Sequence, residues 1–461
     1  MIVRGLGELI ALAAAAVTSV WIARVMGAEN LGLFAVAATA LAFVQAITDA
    51  GLPSLGAQLI ANGASDLVVW QRVTALRSLG AVSGAVLGGL ILAAVDPAWP
   101  VRPLLVGAIV GWAASPLNAT FALVAVGAIR SVALIRAFGA LVSAAIAVAL
   151  IRTGEDIMGL AVLLAIPGLV NAVGSTALIL RHPRSRHPHV DDGLVPVTLK
   201  AWYRRGFDYA KGDLSLLVYM SIDRLLLFGV AGPFVVGLYE AAYRLIQPFY
   251  ALSTVIRESM FLELARARQG DQSGTMYRWS RAMFIATIPV GPFLSIHAAW
   301  VVELIYGPSF ADAALPLAIL GWAITIGFVS GAVVLPFLSW NMGREYGNAV
   351  LAGNVSNIVG NLLLIPLLGA TGAALATVAS KIAVTALGLG PFRSASTFPM
   401  IRWSLRYLTA SLIAAIVSVA VWAATRLDLL SILMFGVIYA GFVVPMARTR
   451  AWTPASGDAN T

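Results

Sequence analysis

The chain has 461 residues, of which 60% are hydrophobic and 11% charged, with a formal net charge of +9 and a mean hydropathy of +0.90. A soluble core of this length cannot hide so much apolar surface, so the composition excludes a water-solvated globule and makes lipid the solvent. Cysteine is absent, and redox compartment cannot be read from it.

Apolar stretches of roughly 20 residues, each able to cross a hydrocarbon layer about 30 Å thick as a helix, recur along the whole sequence. In chain order they fall at 4–25, 32–52, 73–95, 101–127, 131–151, 157–180, 206–230, 233–256, 281–305, 312–339, 346–367, 370–390, 405–425 and 429–447. The expected fold is an all-α integral membrane protein of fourteen transmembrane helices. Continuous runs of Ala, Leu, Val and Ile without period-two alternation exclude a β-barrel. The first span is too long for a cleavable signal and has no small-residue cleavage site ahead of a soluble domain.

Basic residues test the count, because they stay on the cytoplasmic side of short loops. With the N-terminus inside, only Arg24, Arg102, Arg152 and Arg426 fall outside, while Lys211, Arg224, Arg244 and Lys381 lie within spans. All other basic residues fall in the cytoplasm, which predicts a multi-pass protein with both termini cytoplasmic. The positive charge then belongs to the membrane face, where anionic lipid attracts basic loops, and nucleic acid is not needed as a partner.

Within the first span Glu8 lies one turn from Arg4 and reads as a juxtamembrane ion pair. The following turn, GAENLGLF at 27–34, returns 205 positions later as GPFVVGLY at 232–239. Asp49 closes the second span as a helix-end residue, and Gly80, Gly84 and Gly88 form a small-residue packing ridge in the third. GWA at 111–113 recurs at 321–323, and GLA at 159–161 as GAA at 372–374. Between the copies lies the polar stretch 181–205 with its RHPRSRHPHVDDG core, whose His182, His187 and His189 lack metal-ligand spacing. The expected organisation is an N-terminal lobe at 1–181, a cytoplasmic linker at 182–205, a C-terminal lobe at 206–392, and two further spans with a cytoplasmic tail at 393–461. Two six-helix lobes of like orientation imply a pseudo-twofold axis along the membrane normal.

Five segments carry a resemblance: ARVMGAENLGLFAVAATAL at 23–41, DAGLPSLGAQLIA at 49–61, SIDRLLLFGVAGPFVVGLYEAAYRL at 221–245, IYGPSFADAALPLAILGWA at 305–323 and GATGAALATVAS at 369–380. In this order, on these spans, the chain resembles the polysaccharide-exporter branch of the superfamily that also holds the multidrug-and-toxin exporters, and is similar to Wzx-type flippases. That resemblance implies translocation of undecaprenyl-pyrophosphate-linked oligosaccharide from the inner to the outer leaflet of a bacterial or archaeal plasma membrane, for O-antigen, capsule or exopolysaccharide assembly. It implies a lipid-linked oligosaccharide substrate, contact with membrane lipid, and a polysaccharide polymerase and chain-length regulator as partners. The stretch before the first span is short for that family, so the natural start is expected a few residues upstream. A cation-coupled multidrug exporter of the same superfamily is the alternative. A membrane glycosyltransferase or polymerase would need an acidic catalytic loop that the sequence lacks.

Moving a sugar headgroup through hydrocarbon needs a wet polar path, so ionisable residues inside spans are the candidates, each costing at least roughly 2.5 kcal/mol unless it faces a cavity or a partner. Asp208, Lys211 and Asp213 open span seven, Asp223 and Arg224 lie deeper, and Glu240 and Arg244 follow in span eight. Arg224 and Glu240 are equidistant from the turn at Gly232, hence at similar depth, and Glu240 and Arg244 share a helical face. The set reads either as a polar wall toward diphosphate or sugar or as a buried ion pair fixing two helices. Lys381, mid-span in the twelfth, lies too deep to snorkel comfortably. Tyr239, Tyr243 and Tyr250, with Gln247, present an aromatic face suited to sugar rings or to helix packing. Pro248 and Pro336 are candidate bends. Because the bases are matched by Asp208, Asp213, Asp223 and Glu240, and the first lobe is nearly uncharged, proton coupling through Asp223 or Glu240 stays open. There is no GxxxxGK[ST] loop, so nucleotide hydrolysis does not drive the cycle, and no catalytic residue, cofactor or metal is expected.

Overall fold

Gly27 (φ 79°, ψ −179°) and Gly232 (φ 78°, ψ 176°), 205 positions apart, share one backbone conformation. It lies in a region of φ/ψ space essentially reserved for glycine, and it lets a helix stop and restart with almost no loop. Each glycine therefore folds one long apolar helix into two arms: α1 (Ile2–Asp49) and α8 (Leu199–Arg266). A third such helix, α13 (Gly343–Gly388), bends at Gly369 (φ 54°, ψ −128°).

The computed structural model describes residues 2–94, 102–182, 195–266, 272–339, 342–390 and 398–448, and among these every regular element is helical. Between α1 and α8 come α2 (Leu52–Ala61), α3 (Asp66–Ala94), α4 (Arg102–Ala113), a 3-10 turn (Ser115–Leu117), α5 (Thr120–Ala125), α6 (Ile129–Leu150) and α7 (Ile157–Arg181). After α8 follow α9 (Gln272–Thr287), α10 (Val290–Tyr306), a 3-10 segment (Pro308–Ala313), α11 (Ala314–Val334), α12 (Pro336–Ser339), α13, α14 (Phe398–Thr425) and α15 (Asp428–Arg448). Ten helices among the described residues are long and apolar enough to cross a membrane. In the three bent ones, each arm has about 20 residues or more, enough for a crossing. The protein is a multi-pass membrane protein, and its exterior fits: Val173, Leu367 and Ile416 stand 69%, 78% and 69% exposed, as lipid-facing side chains should.

Three sequence expectations are redrawn. The span at 101–127 is broken into α4, a 3-10 turn and α5, because Pro116 lacks a backbone donor and the Asn118 side chain accepts from Thr120 N at 3.0 Å in place of a helical carbonyl. The span at 281–305 is likewise parted at Pro289 into α9 and α10. A short helix, α2, follows the second span: Ala50 (φ 47°) and Gly51 (φ 71°) turn the chain, and Pro53 opens the new helix. Of the two candidate bends, Pro336 starts α12, whereas α8 runs helically through Pro248.

By contacts the chain forms two compact units, 1–237 and 238–461. Most of the expected linker, 183–194, and the tail beyond 448 lie outside the described residues.

In the first unit the repeat is visible as a reciprocal contact. Gly32 lies so close to the Pro233 carbonyl that an added methyl would overlap it, and Gly237 stands in the same relation to the Ala28 carbonyl. Residue 32 is to 233 as 237 is to 28, the pattern of a twofold contact between the two copies of the turn. Trp21 Nε1 donates to Ile151 O at 2.9 Å and Asn30 Nδ2 to Gly154 O at 3.0 Å, fastening α1 to the α6–α7 connection. An apolar core of Leu52, Leu59, Val69, Val73, Leu123 and Trp202 joins α2, α3, α5 and the start of α8.

In the second unit α11 is the most enclosed helix, with Leu317, Leu320, Ala323, Ile324 and Phe328 buried against α10 and α13. The last two helices are held to α10 by polar bonds as well as by packing. His297 Nε2 meets Ser418 Oγ at 3.0 Å, and Ser418 and Ser431 each donate to the other's carbonyl at 2.8 Å.

Candidate functional site

The second arm of α8 carries most of the candidate residues. At roughly 100° per residue, Tyr239, Tyr243 and Tyr250 fall within about 40° of one another around the helix, while Glu240 and Arg244 lie on the adjoining face. The rings form a row: the Tyr239 and Tyr243 centroids are 6.0 Å apart, and Tyr243 and Tyr250 stack at 5.9 Å and 27°. Tyr239 is fully buried, and Tyr243 and Tyr250 are half-buried. Lys381, on the second arm of α13, extends this row, its Nζ lying 5.9 Å from the Tyr250 ring centroid, which is cation–π distance. Beside it, Arg244 Nε donates to Glu240 Oε1 at 2.8 Å, with Glu240 3% exposed. Tyr306 OH donates to Ala241 O at 3.1 Å and fixes α10 to this arm. Within one unit the structure thus brings together Tyr239, Tyr243, Tyr250, Lys381, Glu240 and Arg244.

The other candidates lie in the first unit, on the first arm of α8. Asp223 and Arg224 are both buried. Arg224 Nη1 donates to Met220 O at 3.0 Å and stands 3.8 Å from Asp223 Oδ1. Lys211 is exposed, bound to Asp208 one turn back at 2.7 Å and set 5.1 Å over the Phe207 ring. Asp213 accepts a hydrogen bond from Ser54 Oγ at 2.9 Å, and Tyr209 OH donates to Gln58 Oε1.

Two readings of charge are corrected. Arg77, read as cytoplasmic at the start of span three, is 5% exposed inside α3 and grips Asp49 with Nε at 2.7 Å and Nη2 at 3.0 Å. The first unit is therefore not nearly uncharged, and Asp49 does more than close a helix. The missed signal was local: Ser65 and Asp66 supply N-terminal caps, so α3 begins well before residue 73 and places Arg77 about 16 Å along the helix from its start. Glu8, for its part, meets Arg136 of α6 at 3.5 Å; the side chain of Arg4 lies outside the described residues. His182 faces Asp66 at 3.6 Å, while His187 and His189 are outside them.

The arrangement defines a class, a many-helix membrane protein whose fold is similar to that of a lipid flippase and of a multidrug exporter. The lipid II flippase MurJ in an inward closed conformation, 13% identical, superposes with a TM-score of 0.66 over 97% of this chain and 99% of its own. An inward-facing multidrug resistance MATE family transporter of the MOP superfamily, 15% identical, does so with a TM-score of 0.58 over 87% and 98%. Sequence narrows the class. Residues 129–315 match the family of polysaccharide biosynthesis proteins, and the probable flippase AglR of Haloferax volcanii is 26% identical over 190 residues, 40% of this chain and 39% of that protein. Each of these two sequence matches covers less than half of the chain.

Proposed function

We propose that the protein is a flippase that carries an undecaprenyl-pyrophosphate-linked oligosaccharide from the inner to the outer leaflet by alternating access, supplying cell-surface polysaccharide assembly. The observation that carries this reading is the row Tyr239–Tyr243–Tyr250 ending at Lys381. Aromatic faces with hydroxyls suit sugar rings, and a lysine at the end of the row suits an anionic linkage to the lipid. A lysine inside a spanning arm costs free energy that a purely structural row does not require. The Glu240–Arg244 pair beside the row is nearly neutral as a unit, so it polarises the path without trapping the anion.

In this proposal Asp223 and Arg224 are polar contacts supplied by the first unit, Lys211 receives the headgroup near the membrane surface, and Asp223 or Glu240 carries the coupling proton. The protein acts as a transporter and makes or breaks no covalent bond. Replacing Lys381 by Ala is expected to lower surface polysaccharide severalfold at equal protein abundance, with Lys381→Arg largely restoring it. Undiminished polymer at equal abundance removes Lys381 from the path. Resistance to cationic drugs that depends on Lys381, with polymer unchanged, supports the multidrug reading instead.

A further inference from the structure

Between α6 and α7 lies an open groove of about 570 Å³. Its walls are apolar, with Leu134 and Phe138 on one side, Leu169, Val173 and Leu178 on the other, and Ser131 at one end. The antiparallel register of the two helices follows from their close approaches: Gly174 faces Ile135, and Gly139 faces Val170. That register brings the first turn of α6 level with the last turn of α7. Arg130 and Arg181, both exposed, therefore stand at the same end of the groove as Ser131 and Leu178. Arg136 is engaged by Glu8 at 3.5 Å and contributes little free charge.

Any lipid-facing crevice is filled by hydrocarbon, and this one also has an exposed arginine on each of its two helices at the same end. An apolar slot capped by two cations is complementary to one kind of molecule, a lipid with a negative headgroup. The slot is also short. Along α7, from Leu169 to Leu178, it runs roughly 14 Å, no more than the about 15 Å of a single leaflet. It suits a lipid that stays in its leaflet better than a long polyprenyl carrier.

We propose that this groove binds one anionic phospholipid, an acyl chain lying between α6 and α7 and the phosphate between Arg130 and Arg181. The site is separate from the tyrosine row and does not depend on the identity of the cargo. Native mass spectrometry of the full chain, titrated with phosphatidylglycerol and with phosphatidylcholine of the same acyl chains, tests it. The anionic lipid should be retained roughly tenfold better, and the double variant Arg130→Gln, Arg181→Gln should bring retention of the two lipids level. Val173→Trp fills the groove without changing charge and should weaken both lipids. Unfolding temperature and gel-filtration profile identify any variant that has simply lost its fold. An unchanged anionic preference in the arginine variant, or undiminished retention in a folded Val173→Trp protein, overturns the site. Displacement by undecaprenyl phosphate but not by phosphatidylglycerol overturns its occupant.

Discussion

Glu240 is almost wholly enclosed and gives Arg244 a 2.8 Å partner, so two roles compete for the same pair. Breaking a buried pair from one side strands a charge, and Glu240→Ala should cost about 3–5 kcal/mol of stability. Removing both charges together, as Glu240→Gln with Arg244→Met, should recover most of that loss. Thermal unfolding beside a polysaccharide assay then separates the roles. Recovery of fold and export together assigns the pair to helix registry, whereas a recovered fold without export assigns it to the path. A second prediction concerns the exposed loop before α7. Asp156 accepts backbone N–H bonds from Arg152 and Thr153, each at 2.7 Å, and these hold its carboxyl below the usual carboxylate range. A group with a lowered folded-state pKa contributes stability above its unfolded value, near 3.9, and loses it as pH falls through the folded one. Hydrogen-exchange protection at residues 151–156, corrected for the intrinsic pH dependence of exchange, should therefore fall below about pH 4 in the parent chain and change much less with pH in Asp156→Asn. Equal pH dependence in the two proteins contradicts the cap.

At the scale of elements, the repeat offset of 205 was legible because glycine is nearly the only residue able to adopt the conformation of Gly27 and Gly232. The reciprocal packing of Gly32 and Gly237 was not legible, since sequence gives spacing but not which faces meet. It yields a test: Gly32→Leu or Gly237→Leu forces a side chain into a neighbouring carbonyl and should destabilise by about 1–3 kcal/mol or more, seen as a lowered unfolding temperature in detergent. Wild-type stability in both variants contradicts the close contact. The long apolar helices α6, α7, α11, α14 and α15 were readable from hydropathy alone. The broken stretch at 102–125 and the short helix α2 were not, because Pro116, Asn118 and Pro53 act through local hydrogen bonding that a hydropathy window averages away. The Arg77–Asp49 pair was missed for a related reason: a capped helix start extends α3 beyond its apolar run.

At the scale of the molecule, fold and cargo rest on different observations. The exposed apolar exterior and the helical architecture establish a multi-pass membrane protein, and its fold is similar to that of both a lipid II flippase and a multidrug resistance transporter. The proposed cargo rests on a handful of residues, with the six side chains gathered in the second unit foremost. The tyrosines and Lys381 were nameable from sequence because aromatic spacing and a lysine deep in an apolar span are both conspicuous. Their assembly into one row needed the fold of α13 against its neighbours. The most direct measurement uses vesicles containing the purified protein and a fluorescent undecaprenyl-pyrophosphate oligosaccharide, with a membrane-impermeant lectin reporting the fraction of glycan on the outer face. The account predicts lectin-accessible glycan appearing severalfold faster than in protein-free vesicles, and a return to the protein-free rate with Lys381→Ala. A rate in the parent protein no greater than that of empty vesicles, in preparations that do transport a cationic drug, would contradict it.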